Sequence, residues 1–294
     1  MTTYCVIVTY RPDVARLLDL CGQLVKDGAK IVLVDNTEAP YLESGQLLGG
    51  CTLITLGYNS GIAHAQNVGL RAALAEGAAV LFFFDQDSKI WPGFVNCFAA
   101  ALDIGVAKVV SPLCIDDATN VPLPAVRIGR HGQPIPVHCA DAAAPYLVDI
   151  VISSGIAATR SVFDAVGAFD EQLFIDFVDT EWCLRCRAKQ IPIYVVPNVV
   201  MRHSIGARYF RVGPLTISEH SAERCYYQIR NCFLLIRRPH VPLFFSAKEL
   251  ASTLVNRFLL LFFVESRLSY LKAYLSAVRD GIKGTTGERP TQSK

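Results

Sequence analysis

Asp85 and Asp87 stand one residue apart in AVLFFFDQDSK (79–89), where the apolar run Val80–Phe84 stops. In an extended segment, residues two apart point the same way, so both carboxylates can address one hard cation such as Mg²⁺ or Mn²⁺. Carboxylates at the margin of an apolar core are costly unless positive charge offsets them, so the spacing itself asks for a cation. A second acidic group, Asp176, Asp179 and Glu181, lies in the apolar, aromatic stretch FIDFVDTEWCLR (174–185). Asp179 there either caps the following helix or acts as general base toward a hydroxyl. NSGIAHAQNVG (59–69) adds Gly61 at a helix entrance, with Asn59 and Asn67 nearby. Its two readings are an N-cap supplied by Ser60 or Asn59 and a helix N-terminus turned to an anionic ligand.

These residues need elements to position them. YCVIVTY (4–10), KIVLVDN (30–36) and AVLFFFD (79–85) have strand character, with helical stretches around 13–27 and 62–76 between them. Such alternation predicts an α/β fold: a mostly parallel sheet with helices on both faces. Ligands of these sheets gather beyond the carboxyl ends of the strands. Thr9, Tyr10, Asp35, Asn36, Asp85 and Asp87 are therefore expected in one crevice. Residues 112–145 carry six prolines and little periodicity and read as a long irregular insertion. The pattern recovers at YLVDIVISSG (146–155). Helical character then opens and closes 161–189, and IYVV (193–196) is a further strand. After His203 the chain reads as helices near 218–237, 243–264 and 266–282, so the expected division is a catalytic domain over 1–212 and a helical region over 213–294. No internal repeat is evident.

The chain has 294 residues, long enough for a substantial core, and is 52% apolar and only 18% charged. Charge is divided unevenly: residues 1–201 hold 20 acidic against 13 basic side chains, residues 202–294 hold 15 basic against 6 acidic. A basic tail on an acidic body favours an anionic partner, nucleotide phosphate or a lipid surface. Cysteines are scattered, and the first strand begins at Tyr4 without a signal peptide before it, so a reducing cytoplasm is expected. Cys183 and Cys186 form a lone CxxC in a helical segment with no second pair at zinc spacing. FLLLFFV (258–264) is too short to span a bilayer, which needs about twenty apolar residues. Its helix either lies in the membrane interface, with Lys248, Arg257, Arg267 and Lys272 available to headgroups, or packs on the protein's own core or a second subunit.

VTYRP, VDN, NSGIAHAQNVG, DQDS, SSG, FDEQLFIDFVDTEWCLR and YYQIRN, in that order, resemble the inverting glycosyltransferases of family two, and most closely bacterial rhamnosyltransferases using dTDP-L-rhamnose. The resemblance covers about residues 4–240 and, more loosely, RDGIKGTTG (279–287). It implies a GT-A fold, a nucleotide-sugar donor, a divalent Mg²⁺ or Mn²⁺ cofactor and a lipid-linked glycan acceptor for a cell-surface polysaccharide at the inner face of the membrane. It further implies that Thr9, Tyr10, Arg11, Asp35, Asn36, Asn59, Gly61 and Asn67 belong to the donor site and that Asp85 and Asp87 are the DxD pair. Asp179 matches the base, and Glu181 positions the acceptor or a cationic neighbour. His203, in MRHSIG, falls at a metal-ligand position.

Arg230 and Arg224 either add positive charge near the diphosphate or form a basic helix face. Ser153, Ser154 and Gly155 are expected on the acceptor side, where Gly155 permits close approach of backbone to sugar.

A nucleotidyltransferase is disfavoured because TYRPD replaces a glycine-rich basic loop after the first strand, and a Rossmann dehydrogenase because no GxGxxG stands there. A non-catalytic sugar or surface module leaves the acidic set unexplained, and no nucleic-acid motif accompanies the basic tail. A homo-oligomer remains compatible with the apolar tail.

Overall fold

Alternation along the first strand decides which helices cover which face of the sheet. β1 (Thr3–Thr9) sends Tyr4, Val6 and Val8 into one apolar cluster and Cys5 and Ile7 into another, all buried. Ala63, Ala65 and Leu70 of α2 (Ile62–Ala75) join the first cluster; Leu17, Leu20 and Leu24 of α1 (Val14–Lys26), with Phe94 and Phe98 of α3 (Phe94–Asp103), join the second. Each fully buried Leu or Phe contributes about 1.5–3 kcal/mol. Buried on both sides, the central strands read as continuous apolar runs. The computed structural model describes residues 2–42, 49–103, 109–117, 120–123, 125–138, 142–203, 208–212 and 215–290, excepting the side chains of a few helix and strand residues, His203 among them.

β2 (Lys30–Asp35) and β4 (Val80–Asp85) flank β1 in parallel, and β3 (Cys51–Thr55) extends the edge beyond β2. The eight-stranded sheet has the order β3-β2-β1-β4-β9-β5-β10-β8. Its second half contains β5 (Val109–Asp116), β8 (Tyr146–Val148), β9 (Ala157–Thr159) and β10 (Ile193–His203). β9 is antiparallel to both β4 and β5 and separates the parallel strands β3-β2-β1-β4 from the parallel pair β5–β10, with β8 antiparallel to β10 at the edge.

The proline-rich stretch 112–145 departs from its irregular reading. It holds most of β5, a buried strand, and the hairpin β6 (Ala125–Ile128)–β7 (Pro134–Val137). Pro112 is tolerated inside a sheet because β5's register with β10 breaks beside it, between Val196 and Val200. β3, half-buried at an edge, was not apparent from the sequence.

α4 (Arg160–Val166) and α5 (Val178–Ala188) bring Phe163 and Trp182 onto the α2 face, where their rings stack at 5.3 Å. Cys183 and Cys186 are buried in that cluster, and burial pushes both thiols upward, Cys186 to about 12, the setting of inert core cysteines. The strands β11 (Arg208–Val212) and β12 (Leu215–Glu219) form a second hairpin, and α6 (Ala222–Ile236), α7 (Leu243–Leu260) and α8 (Arg267–Lys283) follow. The expected break at 212/213 falls between the paired strands of that hairpin.

Candidate active site

Thr9 and Asp35 are paired at the ends of β1 and β2, and Asp85 ends β4 opposite Val8. Parallel register thus brings three distant polar residues to one edge, as the strand-end rule requires. The Asn36 N–H donates to the Thr9 carbonyl at 2.9 Å and carries the strand edge outward. Asn36 Oδ1 accepts from the N–H and hydroxyl of Ser60, at 2.7 and 2.8 Å, while its amide donates to Asn59 Oδ1 at 3.1 Å. Asn59 Oδ1 also accepts the Gly61 N–H. Asn36, Asn59 and Gly61 therefore form one cluster at the N-terminus of α2.

Asp35 is wholly buried, and its carboxylate accepts from the Thr37 hydroxyl at 2.5 Å, the Tyr41 N–H at 3.3 Å and Thr9 Oγ1 at 3.5 Å. It holds the loop after β2 in place beneath the crevice. Tyr10 and Arg11 are exposed and share Glu38, the guanidinium 5.1 Å from the Tyr10 ring centre. Gln86, which the sequence did not single out, bridges the two strand ends: its Oε1 accepts the Tyr10 N–H at 2.7 Å and its amide donates to the Tyr10 carbonyl at 3.2 Å. A side chain between two acids carries no periodic signal that marks such a bridge.

The SSG turn ties the two acidic groups together. The Asp85 N–H donates to Ser154 Oγ at 3.2 Å, Ser154 and Ser88 hydroxyls lie 2.7 Å apart, and the Ser153 N–H donates to Asp179 Oδ2 at 3.3 Å. Thr180 N–H donates to the other oxygen of Asp179 at 2.7 Å. Burial pushes the Asp179 carboxyl above its ordinary range; the Thr180 and Ser153 N–H groups pull it down, and the charges of Asp85 and Asp176 raise it. A carboxyl tuned upward is suited to accepting a proton near neutrality. Asp176 binds Arg224, from the start of α6, at 3.0 Å. Burial opposes the charge on Arg224, but Asp176 and, further off, Asp85 outweigh it.

Several expected site residues work elsewhere. Arg230 is fully buried and donates to the carbonyls of Leu173, Thr285 and Gly287 and to Asn231 Oδ1, so backbone oxygens take the place foreseen for phosphate. Arg224 is committed to Asp176. Asn67 is buried and grips the loop after α4, donating to Phe169 O and Glu171 Oε1 and accepting the Phe169 N–H. Glu181 is buried and ion-paired with Arg185 and His240, each at 2.8 Å. Ser154 is buried as a tether, and a Cβ on Gly155 would meet Pro112 at 2.7 Å and Met201 at 2.9 Å, so the close approach there is to the core. His203 ends β10, its backbone opposite Asp116; its side chain lies outside the described residues.

Sequence reasoning also missed what aims the base. Phe174 has φ 65° and ψ −66° and its carbonyl side is closed by a 2.8 Å bond from Ile175 N–H to Leu173 O, the strained form of the γ-turn. Asp176 and Phe177 follow with φ of 64° and 62°. The amide of Asn231 donates to the carbonyls of Leu173, Ile175 and Asp176 at 2.8–3.0 Å and clamps this loop onto α6. Among the described residues no group of three His, Cys, Asp or Glu is gathered as a protein-only metal cage would need.

No family model matches the chain. It is 38% identical over 285 residues to the dTDP-rhamnosyl transferase RfbF of Shigella flexneri, an alignment covering 97% of this chain and 96% of that one. The chain belongs to the dTDP-rhamnosyl transferase family. Solved structures agree on the fold. S. aureus TarS 1–349 in complex with UDP-GlcNAc superposes with TM-score 0.59 at 16% identity, covering 97% of this chain and 82% of that one. GalNAc-T7 with UDP, GalNAc and Mn²⁺ gives 0.56 at 16%, covering 72% of this chain; the match spans 44% of the GalNAc-T7 chain. The family member described here is thus a glycosyltransferase with a GT-A fold and a helical C-terminal region.

Proposed function

We propose that the protein transfers L-rhamnose from dTDP-L-rhamnose to a hydroxyl of a lipid-linked glycan, with inversion, in the synthesis of a cell-surface polysaccharide. The observation that carries this reading is the Ser153–Ser154 tether, which holds Asp179 beside Asp85 while burial keeps its carboxyl basic. Asp179 takes the proton of the acceptor hydroxyl as that oxygen attacks the anomeric carbon. The bond from that carbon to the diphosphate oxygen breaks, and the electron pair leaves with dTDP. A single displacement from a β-linked donor yields an α-rhamnoside.

Asp85 and Asp87 are the carboxylates that would hold a divalent cation beside the substrate's phosphates. A bound Mg²⁺ or Mn²⁺ stabilises the charge developing on the departing diphosphate. The charge of Asp85 reaches both Asp179, whose carboxyl it raises, and the Arg224 guanidinium, which it favours. Thr9, Tyr10, Arg11, Asn36 and Asn59 frame the nucleoside side of the crevice, above the buried Asp35.

We also assign the C-terminal helices to an anionic membrane surface. Phe244, Val255 and Phe258 along α7, Phe262 in the turn after it, and Leu268, Leu271, Leu275 and Ile282 along α8, are exposed, with Lys248, Arg267, Lys272, Arg279 and Lys283 exposed beside them. No helix of the described residues is long and apolar enough to cross a membrane. Release of dTDP from dTDP-L-rhamnose with and without Mg²⁺ or Mn²⁺ tests the donor reading. Asp87→Ala should weaken metal-dependent donor binding at least tenfold; unchanged binding would remove the DxD assignment. Co-sedimentation with phosphatidylglycerol vesicles, but not phosphatidylcholine vesicles, tests the membrane assignment.

A further inference from the structure

Arg224, Asn231 and Arg238 follow one another at seven-residue intervals, about two turns of helix, so they share one face of α6, the last standing just past its end. They grip the segment ahead of the base in reverse chain order. Arg224 pairs with Asp176 at 3.0 Å, Asn231 serves the carbonyls of Leu173, Ile175 and Asp176, and Arg238 reaches Asp170 at 2.6 Å and Gln172 Oε1 at 2.7 Å. His240 then turns to the other side of the base. Its Nε2 lies 2.8 Å from Glu181 Oε1, where Arg185 Nε also lies at 2.8 Å. The turn joining α6 to α7 thus holds Asp170 before Asp179 and Glu181 after it. That turn is itself seated, since Val241 and Phe245 are buried in the same apolar cluster as Leu173 and Trp182.

The start of α5 needs such a hold. Its N-cap residue, Phe177, has a left-handed backbone and makes no side-chain cap bond, so the turn carrying Asp179 and Glu181 lacks the device that usually fixes a helix start. Residues two apart on a helix are rotated by about 200°, so these two carboxylates face opposite ways. The Ser153 N–H holds Asp179 on one side. On the other, Arg185 belongs to α5 itself and, through the carbonyls of Val166 and Ala168, seats the middle of the helix; His240 ties the first turn to a different element. Neither Arg185 Nε nor His240 Nε2 makes a directed hydrogen bond among the described residues. The attraction at Glu181 Oε1 is therefore one of charge, which an imidazolium supplies and a neutral aliphatic side chain does not.

We infer that His240 is a positioning residue for sugar transfer: through Glu181 it sets the rotation of the first turn of α5, and so the direction of the Asp179 carboxyl. This role rests on the reading of Asp179 as the base and adds what fixes its aim from the side turned away from the crevice.

His240→Ala, Glu181→Gln and the double variant test it in the full chain, by release of dTDP from dTDP-L-rhamnose. Each single change is expected to lower kcat about tenfold, a part of the roughly hundredfold that a misplacement of about 1 Å costs, with KM for the donor nearly constant. Because the two residues act as one, the double variant should fall no further than the slower single one. His240→Lys returns a cation to the same place and should recover much of the rate. An unchanged kcat in His240→Ala, losses that multiply in the double variant, or a fall in Tm with no recovery of rate by lysine overturns the role. Full activity of Asp179→Asn would overturn the base reading, and the role of His240 with it. An inert parent would overturn the donor reading alone, and the seat of α5 is then read from the Trp182 indole N–H, which donates to Gly167 O at 3.1 Å. Its NMR signal should move in His240→Ala, and a signal that stays in place overturns the role.

Discussion

Asn231→Ala is the sharpest perturbation of the proposed catalytic geometry, because Asn231 lies outside the crevice and its amide acts on the loop that carries the base, while its Oδ1 accepts from the buried Arg230 at 2.8 Å. Its amide serves three carbonyls, of Leu173, Ile175 and Asp176, and it is itself fully buried. Leu173 O keeps a second donor in Arg230, at 3.0 Å. The oxygens of Ile175 and Asp176 lose this one, at about 1–3 kcal/mol for each buried group left unsatisfied. A loss of about 2–6 kcal/mol is therefore expected in chemical denaturation. The loop it releases is under load: Phe174, Asp176 and Phe177 all have positive φ, at about 1–3 kcal/mol apiece. Freed of the clamp, the loop relaxes, and a shift of about 1 Å at Asp179 lowers kcat by about a hundredfold. Steady-state release of dTDP should show that fall in kcat with the Kd for dTDP-L-rhamnose nearly constant, since the donor crevice is built on other elements. Asn231→Asp, which accepts where the amide donated, should be at least as damaging, and Asn231→Gln should recover part of the rate. Destabilisation with kcat intact would refute the argument, because the clamp would then serve folding alone.

Asp179→Asn is expected to abolish transfer while preserving donor binding, and to melt higher than the parent at pH 7. The sign follows from the raised folded-state pKa: the native protein holds the Asp179 proton to higher pH than the unfolded chain, so stability is lost as pH rises through that window. The difference in Tm should shrink as pH falls below the ordinary aspartate value of about 3.9, and a difference independent of pH would reject the assignment. Gly61→Ala should cost about 2–4 kcal/mol, from a backbone region open essentially to glycine and from overpacking. Its φ is 82°, and an added Cβ would meet Phe174 Cδ2 and O at 2.6 and 2.7 Å. A neutral result in urea denaturation would show that α2 and the γ-turn are not in the contact described.

The crevice was legible in the sequence because it depends on where strands stop. An apolar run that ends in a polar residue marks both the core and its edge, and Thr9, Asp35 and Asp85 needed no more than that. β5 was obscured because Pro112 sits inside it, and proline argues against an interior strand unless the partner's register breaks at that point, a fact of β10 rather than of 112–145. Arg230 shows a different limit. An arginine beside an asparagine on a helix has the same sequence appearance whether its partners are phosphate oxygens or buried carbonyls. Only the fold of 173–176 and 285–287 decides between them. The same holds for Ser153 and Ser154, legible as polar and near the site but not as the link between the two acidic groups.

The helical C-terminal region is for the same reason part of the catalytic unit, and truncation tests this directly. α6 supplies Arg224 to Asp176 and Arg230 and Asn231 to the carbonyls ahead of Asp179. The segment after α8 then closes the arrangement, since Arg230 also holds Thr285 O and Gly287 O while the Gly287 N–H donates to Gln172 O at 2.8 Å. A chain ending at Glu219 retains the strands and Asp85 but removes every one of those donors from the base loop. Three residues with positive φ then have nothing from α6 to offset their strain. Such a chain is expected to be unable to release dTDP from dTDP-L-rhamnose, and full-rate hydrolysis by it would show that the loop before Asp179 holds its own conformation.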